Sequence, residues 1–412
     1  MTLSYTQVPC IVLGLETQIG LGLVRELGRA GVKVIGVTHS AHDIGLRSKY
    51  LSESHVVPHR RNAALLQRLQ EIARSHGGAT LLTVSEVNLK WLATCRDELG
   101  AALHPLRLVV PQSRQLALVL DKEKTLALAK EVGVPVPQTV LPGSATDPGL
   151  NQLRFPVVLK WADPEKVSGL LQAARLPLHK AEFAMDLQAL QRALQRYDGV
   201  GHWPLVQEYA PGQGLGQFFY MHQGQALRVF QHRRVAEWPP EGGYSSVCDA
   251  VPLTEHTELQ ALSHKLLCAM QWEGVAMVEY RHDPATGRSV LMEINGRFWG
   301  SFPLAVHCKA GFAVLSHAVG GLGQVPPLPQ MRTDLRCRMV LTEVKRLLRI
   351  TLKPGQIKDP MFKVRPLYEW LRFVGDFLKP NVRYFLWSLD DPKPWLADAW
   401  GMVKKTLRVG RG

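Results

Sequence analysis

The chain has 412 residues, 46% of them hydrophobic and 20% charged, which fits a globular protein with room for two or three domains. No apolar run reaches the roughly 18 residues needed to span a bilayer, and the polar stretch from Met1 to Pro9 does not read as a signal peptide. The formal charge is +14, and 18 Lys/Arg against 8 Asp/Glu between Gln330 and Gly412 account for +10 of it.

The first stretch alternates strand and helix patterns. Cys10 to Gly14 reads as a buried strand, Gly20 to Ala30 as a helix and Val32 to Val37 as a strand. An amphipathic helix from Leu65 to Ser75 and strands at Thr80 to Val84 and Leu106 to Val110 follow. Such alternation predicts a parallel sheet with crossover helices. The first loop, with Gly14, Gly20 and Gly22, is neither a GxGxxG nor a Walker A loop, so it gives little support to a dinucleotide site. The six cysteines (Cys10, Cys95, Cys248, Cys268, Cys308, Cys337) show no CxxC and no mixed His/Cys spacing. That favours reduced thiols over a zinc centre.

Asp121 to Glu131 reads as a helix ended by Gly133-Val-Pro-Val-Pro137. Strands are predicted at Phe155 to Lys160 and Leu205 to Tyr209, and a helix at Asp186 to Arg196. Pro211-Gly212-Gln213-Gly214 reads as a turn, and Gln231 to Ser246 as a loop with a basic cluster and a flexible Gly242-Gly243. The Pro-rich Val325 to Pro329 marks a boundary into the basic tail. The expected domains are therefore 1–115, 116–325 (small lobe about 138–212, larger lobe about 213–325) and 326–412.

Chemistry concentrates between Val275 and Arg297. Asp283-Pro-Ala-Thr-Gly287 is a turn, so Glu279 and Glu293 should face each other on adjacent strands, with Glu293, Asn295 and Arg297 on one face. Two opposed carboxylates repel unless neutralised. With the Asn295 amide oxygen they form an all-oxygen set suited to Mg²⁺, and Arg297 beside them suits a phosphate. Lys160 ends an apolar strand and Lys122 starts a helix, where either can meet a phosphate or simply be solvated. The segment Gln207-Glu208-Tyr209-Ala210 offers backbone groups to an adenine edge. His232-Arg233-Arg234 with Gly242-Gly243 suits a loop over phosphates, or an ordinary solvated loop.

In this order, these segments resemble the ATP-grasp superfamily, more narrowly its carbamoyl-phosphate-synthase-like and carboxylate–amine ligase branches. The resemblance runs from about Cys10 to Leu322 and is most specific at Gly274-Val-Ala-Met-Val-Glu-Tyr and Leu291-Met-Glu-Ile-Asn-Gly-Arg-Phe-Trp-Gly-Ser301. It implies an α/β fold: a parallel β/α domain, a two-lobed ATP-grasp fold and a mainly helical basic extension. It also implies ATP with Mg²⁺ (Mn²⁺ as a substitute), held by Glu279, Glu293 and Asn295. Lys122, Lys160, Gln207, Glu208, Tyr209, Ala210, Gly242 and Gly243 would bind nucleotide, and Arg297, Arg234 and His232 would act at the transferring phosphate. Gly296 departs from the proline of many relatives, and the hinge shows no ribose-binding acid.

The activity implied is activation of a carboxylate as an acyl phosphate and its capture by an amine, with ADP and phosphate released. The alternatives are carboxylate phosphorylation or carboxylation without amide formation, and a non-catalytic nucleotide-binding scaffold. Small-molecule substrates, a cytoplasmic location and a homodimer are expected, and nucleic acid is not. The tail mixes basic residues with ten aromatics between Phe362 and Trp400, which suits a helical appendage or, as a second reading, peripheral contact with an anionic inner membrane face.

Overall fold

The computed structural model describes residues 4–58, 61–179, 181–357, 359 and 361–409, with the backbone alone at Glu165 and 402–409. Strands β1 (Cys10–Leu13), β2 (Val34–Thr38), β3 (Leu51–Val56), β4 (Ala79–Thr83) and β5 (Leu106–Leu108) form a parallel sheet in the order β3-β2-β1-β4-β5. Helices α1 (Gln18–Arg29), α2 (Ala63–Ser75) and α3 (Glu86–Leu99) connect them. The expected alternation is therefore present, with β3 and α3 added. The strand β3 alternates half-buried and exposed residues at the sheet edge, a weaker signal than the wholly buried β1 and β2.

The glycines of the first loop serve packing. Gly14 has φ +109°, a Cβ on Gly20 would lie 2.0 Å from the Gly14 carbonyl oxygen, and one on Gly22 would lie 2.9 Å from Phe302. Close approach of α1 to β1 and to its neighbour requires glycine there.

After α4 (Ser113–Leu120) and α5 (Lys122–Glu131) comes a four-stranded sheet, in the order β6-β9-β7-β8. Its strands are β6 (Thr139–Val140), β7 (Val157–Lys160), β8 (Glu182–Ala184) and β9 (Leu205–Glu208), covered by α6 (Pro164–Ala173) and α7 (Leu187–Gln195). The expected helix is α7, capped by Asp186, which accepts from Ala189 N at 2.7 Å.

The third sheet has seven strands, in the order β14-β13-β10-β11-β12-β15-β16. They are β10 (Gln213–His222), β11 (Gln225–Trp238), β12 (Tyr244–Ala250), β13 (Gly274–His282), β14 (Ser289–Asn295), β15 (Arg336–Arg338) and β16 (Val382–Tyr384). Helices α8 (Thr257–Ala269), α9 (Phe302–His307) and α10 (Phe312–Leu315) accompany it. Along β10 the side chains alternate between two cores. Phe218 and Tyr220 join Val12, Leu23 and Trp299 on the side of the parallel sheet, while Leu215, Phe219 and Met221 join Leu266 and Ile294 on the other.

Two expectations are corrected. Gln213-Gly214 opens a strand instead of completing a turn, and Gln231 to Ser246 is two paired strands around a short connection at 239–243. The tail also does more than append helices. The strands β15 and β16 extend the large sheet, between and beside α11 (Val340–Leu352), α12 (Pro366–Gly375) and α13 (Lys393–Val409). Arg25, almost fully buried in α1, donates to Asp391 Oδ2 at 3.0 Å and to the Leu386 carbonyl at 2.9 Å, which ties the tail back to the first domain. Among the described residues no helix is long and apolar enough to cross a membrane.

Candidate active site

The strands β13 and β14 form the hairpin expected from the sequence. Asp283 closes its turn by accepting from Ala285 N at 3.0 Å and from the Thr286 hydroxyl at 2.9 Å, and Gly287 takes φ +70°. The register pairs Glu279 directly with Glu293. Asn295 lies two residues along β14, and its amide nitrogen donates to Glu293 Oε1 at 3.1 Å. Gly296 is set by packing: a Cβ there would fall 2.4 Å from the Trp272 ring. Glycine at this position therefore makes room for an indole.

The two carboxylates lie on the wall of a cavity of about 510 Å³ between the four-stranded and seven-stranded sheets. Lys122, Lys160, Gln207, Glu208, Tyr209, Ala210, Arg234, Gly242 and Gly243 line the same cavity. Eleven sequence-selected residues thus share one space. Asn295 and Arg297 line an adjoining cavity of about 180 Å³, whose wall also includes Lys122, Glu293 and Glu86. Arg297 donates to the Phe298 carbonyl at 3.0 Å, and its Nε is 3.9 Å from Glu86 Oε2 at the start of α3.

His232 does not join them. It is fully buried, its Nδ1 is 3.1 Å from Ser301 Oγ, and its ring stands edge-on to Phe218 at 4.7 Å. Burial, with Arg234 adding to it, pushes the imidazole well below its usual range, so it is neutral. A neutral ring in the core cannot move protons in the cavity, and the expected role at phosphate is withdrawn.

Arg234 reaches the cavity because β10 has no side chains in its way. The strand β10 lies between β11 and β13, and a Cβ on Gly214 would sit 2.5 Å from Arg234 Cδ. Through that gap Arg234 Nη2 donates to Glu279 Oε2 at 2.5 Å, and Nη1 donates to the Gly243 carbonyl at 3.1 Å. Glu237 Oε2 accepts from Gly243 N at 3.0 Å, so the short connection is held from both sides. Burial disfavours the Arg234 charge, but Glu279, Glu237 and Glu293 raise its pKa above the usual arginine value.

Glu293 shows the opposite balance. Burial pushes its carboxyl up, yet Lys122, the Asn295 hydrogen bond, Arg234 and Lys160 together hold it below the usual carboxylate range. It is an anion ready for a cation. Lys160 Nζ donates to Gln207 Oε1 and Lys122 Nζ to the Trp161 carbonyl, both at a long 3.4 Å. Burial brings the Lys160 ammonium down to about 8, with Lys122 adding to the fall and the two glutamates opposing it. Around the hinge, the Glu208 side chain turns away to Arg154, whose backbone N donates to it at 2.9 Å. The backbone from Glu208 to Ala210 is what borders the cavity.

The sequence reading missed several wall residues. Glu237 and Glu241 come from a segment read as a loop, Arg281 from the expected strand but was not singled out, and Arg349 and Asp359 come from the tail. Arg349 of α11 donates to Glu241 Oε1 at 2.8 Å, and the Tyr209 hydroxyl donates to Asp359 Oδ2 at 3.4 Å. Glycines within a strand, at Gly214 and Gly216, were the available signal for a side chain crossing it.

Among the described residues there is no group of three His, Cys, Asp or Glu side chains placed to hold a metal. Two opposed carboxylates and an amide do fit Mg²⁺, which binds proteins through one or two carboxylates and takes other oxygens from phosphates and water.

No family model matches the chain, and no curated protein does. Solved structures do. Biotin carboxylase from Campylobacter jejuni, in complex with β,γ-ATP, is similar at TM-score 0.61 and 15% identity, over 81% of this chain and 75% of that one. The biotin carboxylase domain of 2-oxoglutarate carboxylase from Hydrogenobacter thermophilus, a dimer with MgADP and bicarbonate, gives 0.60 and 13%, over 79% and 73%. L-amino acid ligase from Bacillus licheniformis gives 0.54 and 17%, over 75% and 73%. With two sheets enclosing a cavity that opposed glutamates and convergent lysines line, and with these likenesses, the chain has the ATP-grasp fold.

Proposed function

We propose that this chain is an ATP-dependent ligase that activates a carboxylate as an acyl phosphate and joins it to an amine. The observation that carries the reading is the Glu279–Glu293 pairing on the wall of the cavity that Lys122 and Lys160 also enter. The backbone from Glu208 to Ala210 meets the adenine edge, and Lys160 and Lys122 neutralise the nucleotide phosphates. Glu279, Glu293 and Asn295 would hold Mg²⁺, which would supply positive charge to the nucleotide phosphates. Arg234, anchored by Glu279 and the Gly243 carbonyl, and Arg297 in the adjoining cavity stabilise charge on the transferring phosphoryl group.

A substrate carboxylate oxygen attacks the γ-phosphorus, the bond to the β-phosphate oxygen breaks, and ADP leaves. An amine then attacks the acyl carbon, phosphate departs with the bonding pair, and the amine proton passes to solvent. Positioning supplies most of the rate, and no covalent enzyme intermediate is needed. Nucleotides in the similar structures support the co-substrate, and the likeness to an amino acid ligase supports the amide product. Bicarbonate in one of those structures favours a second reading, carboxylation of the amine.

The test is ADP release from Mg·ATP, screened against pools of carboxylates with and without amines. A pool that stimulates the wild type should give at least about a hundredfold less with Glu293→Gln. Product mass then separates amide from carboxylation. Turnover unchanged in Glu293→Gln would remove the assignment.

A further inference from the structure

We propose that the outward faces of α11 and α12 lie flat on an anionic lipid bilayer. On α12 and the turn after it, Leu367, Leu371, Val374 and Leu378 recur at helical spacing, and Leu367, Leu371 and Leu378 are 74%, 65% and 86% exposed. On α11, Leu341, Leu348 and Leu352 recur with the same period and are also exposed, Leu352 at 69%. Met361 and Val364, between the two helices, and Tyr368 on α12 are exposed as well. A soluble surface scatters such residues singly, whereas a contiguous patch marks a contact.

The charges around the patch choose the partner. Among the described residues from 340 to 380, every exposed charged side chain is basic: Lys345, Lys353, Lys363, Arg365 and Lys379. The acids of that stretch turn inward. Glu343 and Asp376 are buried, Glu369 is paired with Arg346 and Arg372, and Asp359 accepts from Tyr209. An apolar face flanked along both helices by exposed cations is what an interfacial helix presents to acidic headgroups. Tyr368, 62% exposed, suits the headgroup layer, with an apolar ring and a polar tip. A two-fold contact with a second copy fits poorly, because it sets the same exposed cations against themselves. The inner side of α11 sends Arg349 to Glu241, so the docked face is one helix away from the cavity.

The test is flotation of the full chain with vesicles of phosphatidylcholine alone or mixed with phosphatidylglycerol, at low and high salt. Binding is expected on the mixed vesicles at low salt and should fall as salt rises. Leu367→Ser, Leu371→Ser and Leu378→Ser together should weaken partitioning at least about tenfold. Lys353→Ser, Lys363→Ser and Arg365→Ser together should weaken it roughly a hundredfold. Both triple variants should unfold thermally like the wild type, since every changed side chain is exposed. No binding to the mixed vesicles at low salt overturns the proposal, and so does equal binding to phosphatidylcholine alone. A wild-type dimer that the leucine variant dissociates assigns the face to a second copy and overturns it as well.

Discussion

Two clusters of charge, one beneath the tail and one in the cavity, use the same residue types to opposite ends. Under the tail, Arg338 and Glu343 are both fully buried and meet at 2.7 Å, Arg346 meets Glu369 at 2.9 Å, and Arg372 meets Glu369 at 2.7 Å. Each cation has a carboxylate at hydrogen-bonding distance. In the cavity Arg234 is closed onto Glu279 at 2.5 Å, but among the described residues Lys122 and Lys160 donate only to neutral oxygens at 3.4 Å, and Arg281 stands 3.9 Å from Glu237. The positive charge of the two lysines is left to hold Glu293 ionised and to receive an anion. Closed pairs fasten a fold, and loosely matched ones wait for a ligand.

The largest effect that would sharpen this comparison is on stability. Arg338→Met takes from buried Glu343 its cation at 2.7 Å and leaves only Arg372, 3.5 Å away, in a place where burial already pushes its carboxyl up. Removing one partner of a buried pair costs about 3–5 kcal/mol. Denaturant unfolding should show that loss for Arg338→Met and less than about 1 kcal/mol for Lys160→Met, which among the described residues has no carboxylate at hydrogen-bonding distance. Equal losses would mean that the cavity charges also serve the fold.

A smaller effect probes the gap through which Arg234 crosses β10. Gly214→Ala places a methyl 2.5 Å from Arg234 Cδ, a contact that the guanidinium side chain must yield. ADP release should fall by about tenfold to a hundredfold, because Arg234 loses its hold on Glu279, while overpacking costs about 1–3 kcal/mol. Activity kept at the wild-type level would show that Arg234 finds Glu279 by another route.

The hairpin was legible because its signals are local. A five-residue turn with Asp283 and Gly287 sets the register as far as Tyr280 opposite Leu291. A bulge at the next step, which no local signal marked, brings Glu293 rather than Met292 opposite Glu279. The parallel sheet was legible from buried runs such as Cys10 to Leu13. The strand β11 was not, because Gln231-His-Arg-Arg-Val-Ala-Glu has the composition of a loop. Its polar residues are tolerated because Gln231 bonds Gln217 at 2.8 Å and Arg234 bonds Glu279 across the sheet, and those partners are distant in sequence. His232 was misread for the same reason: being polar beside two arginines said nothing of Phe218 and Ser301 around it. Arg349 and Asp359 lay in a tail known only by composition, and only tertiary folding brings them to the cavity wall.

The smallest expected effect is a pH dependence at the loosely matched cluster. Burial lowers Lys160 to about 8 in the free protein, and a bound phosphate raises it, so proton and nucleotide favour each other's binding. Below pH 8 the lysine is charged with or without nucleotide, and affinity for ADP should be flat. As pH rises through about 8 the free site loses its proton first. Binding must then recover that proton, and Kd should rise by up to about tenfold per pH unit until the pKa of the complex is reached. Lys160→Arg keeps its charge throughout and should remove the rise. Calorimetric titration with ADP between neutral and alkaline pH reads both curves. A wild-type Kd that stays flat would place Lys160 away from the phosphates and leave Lys122 as the cation that meets them.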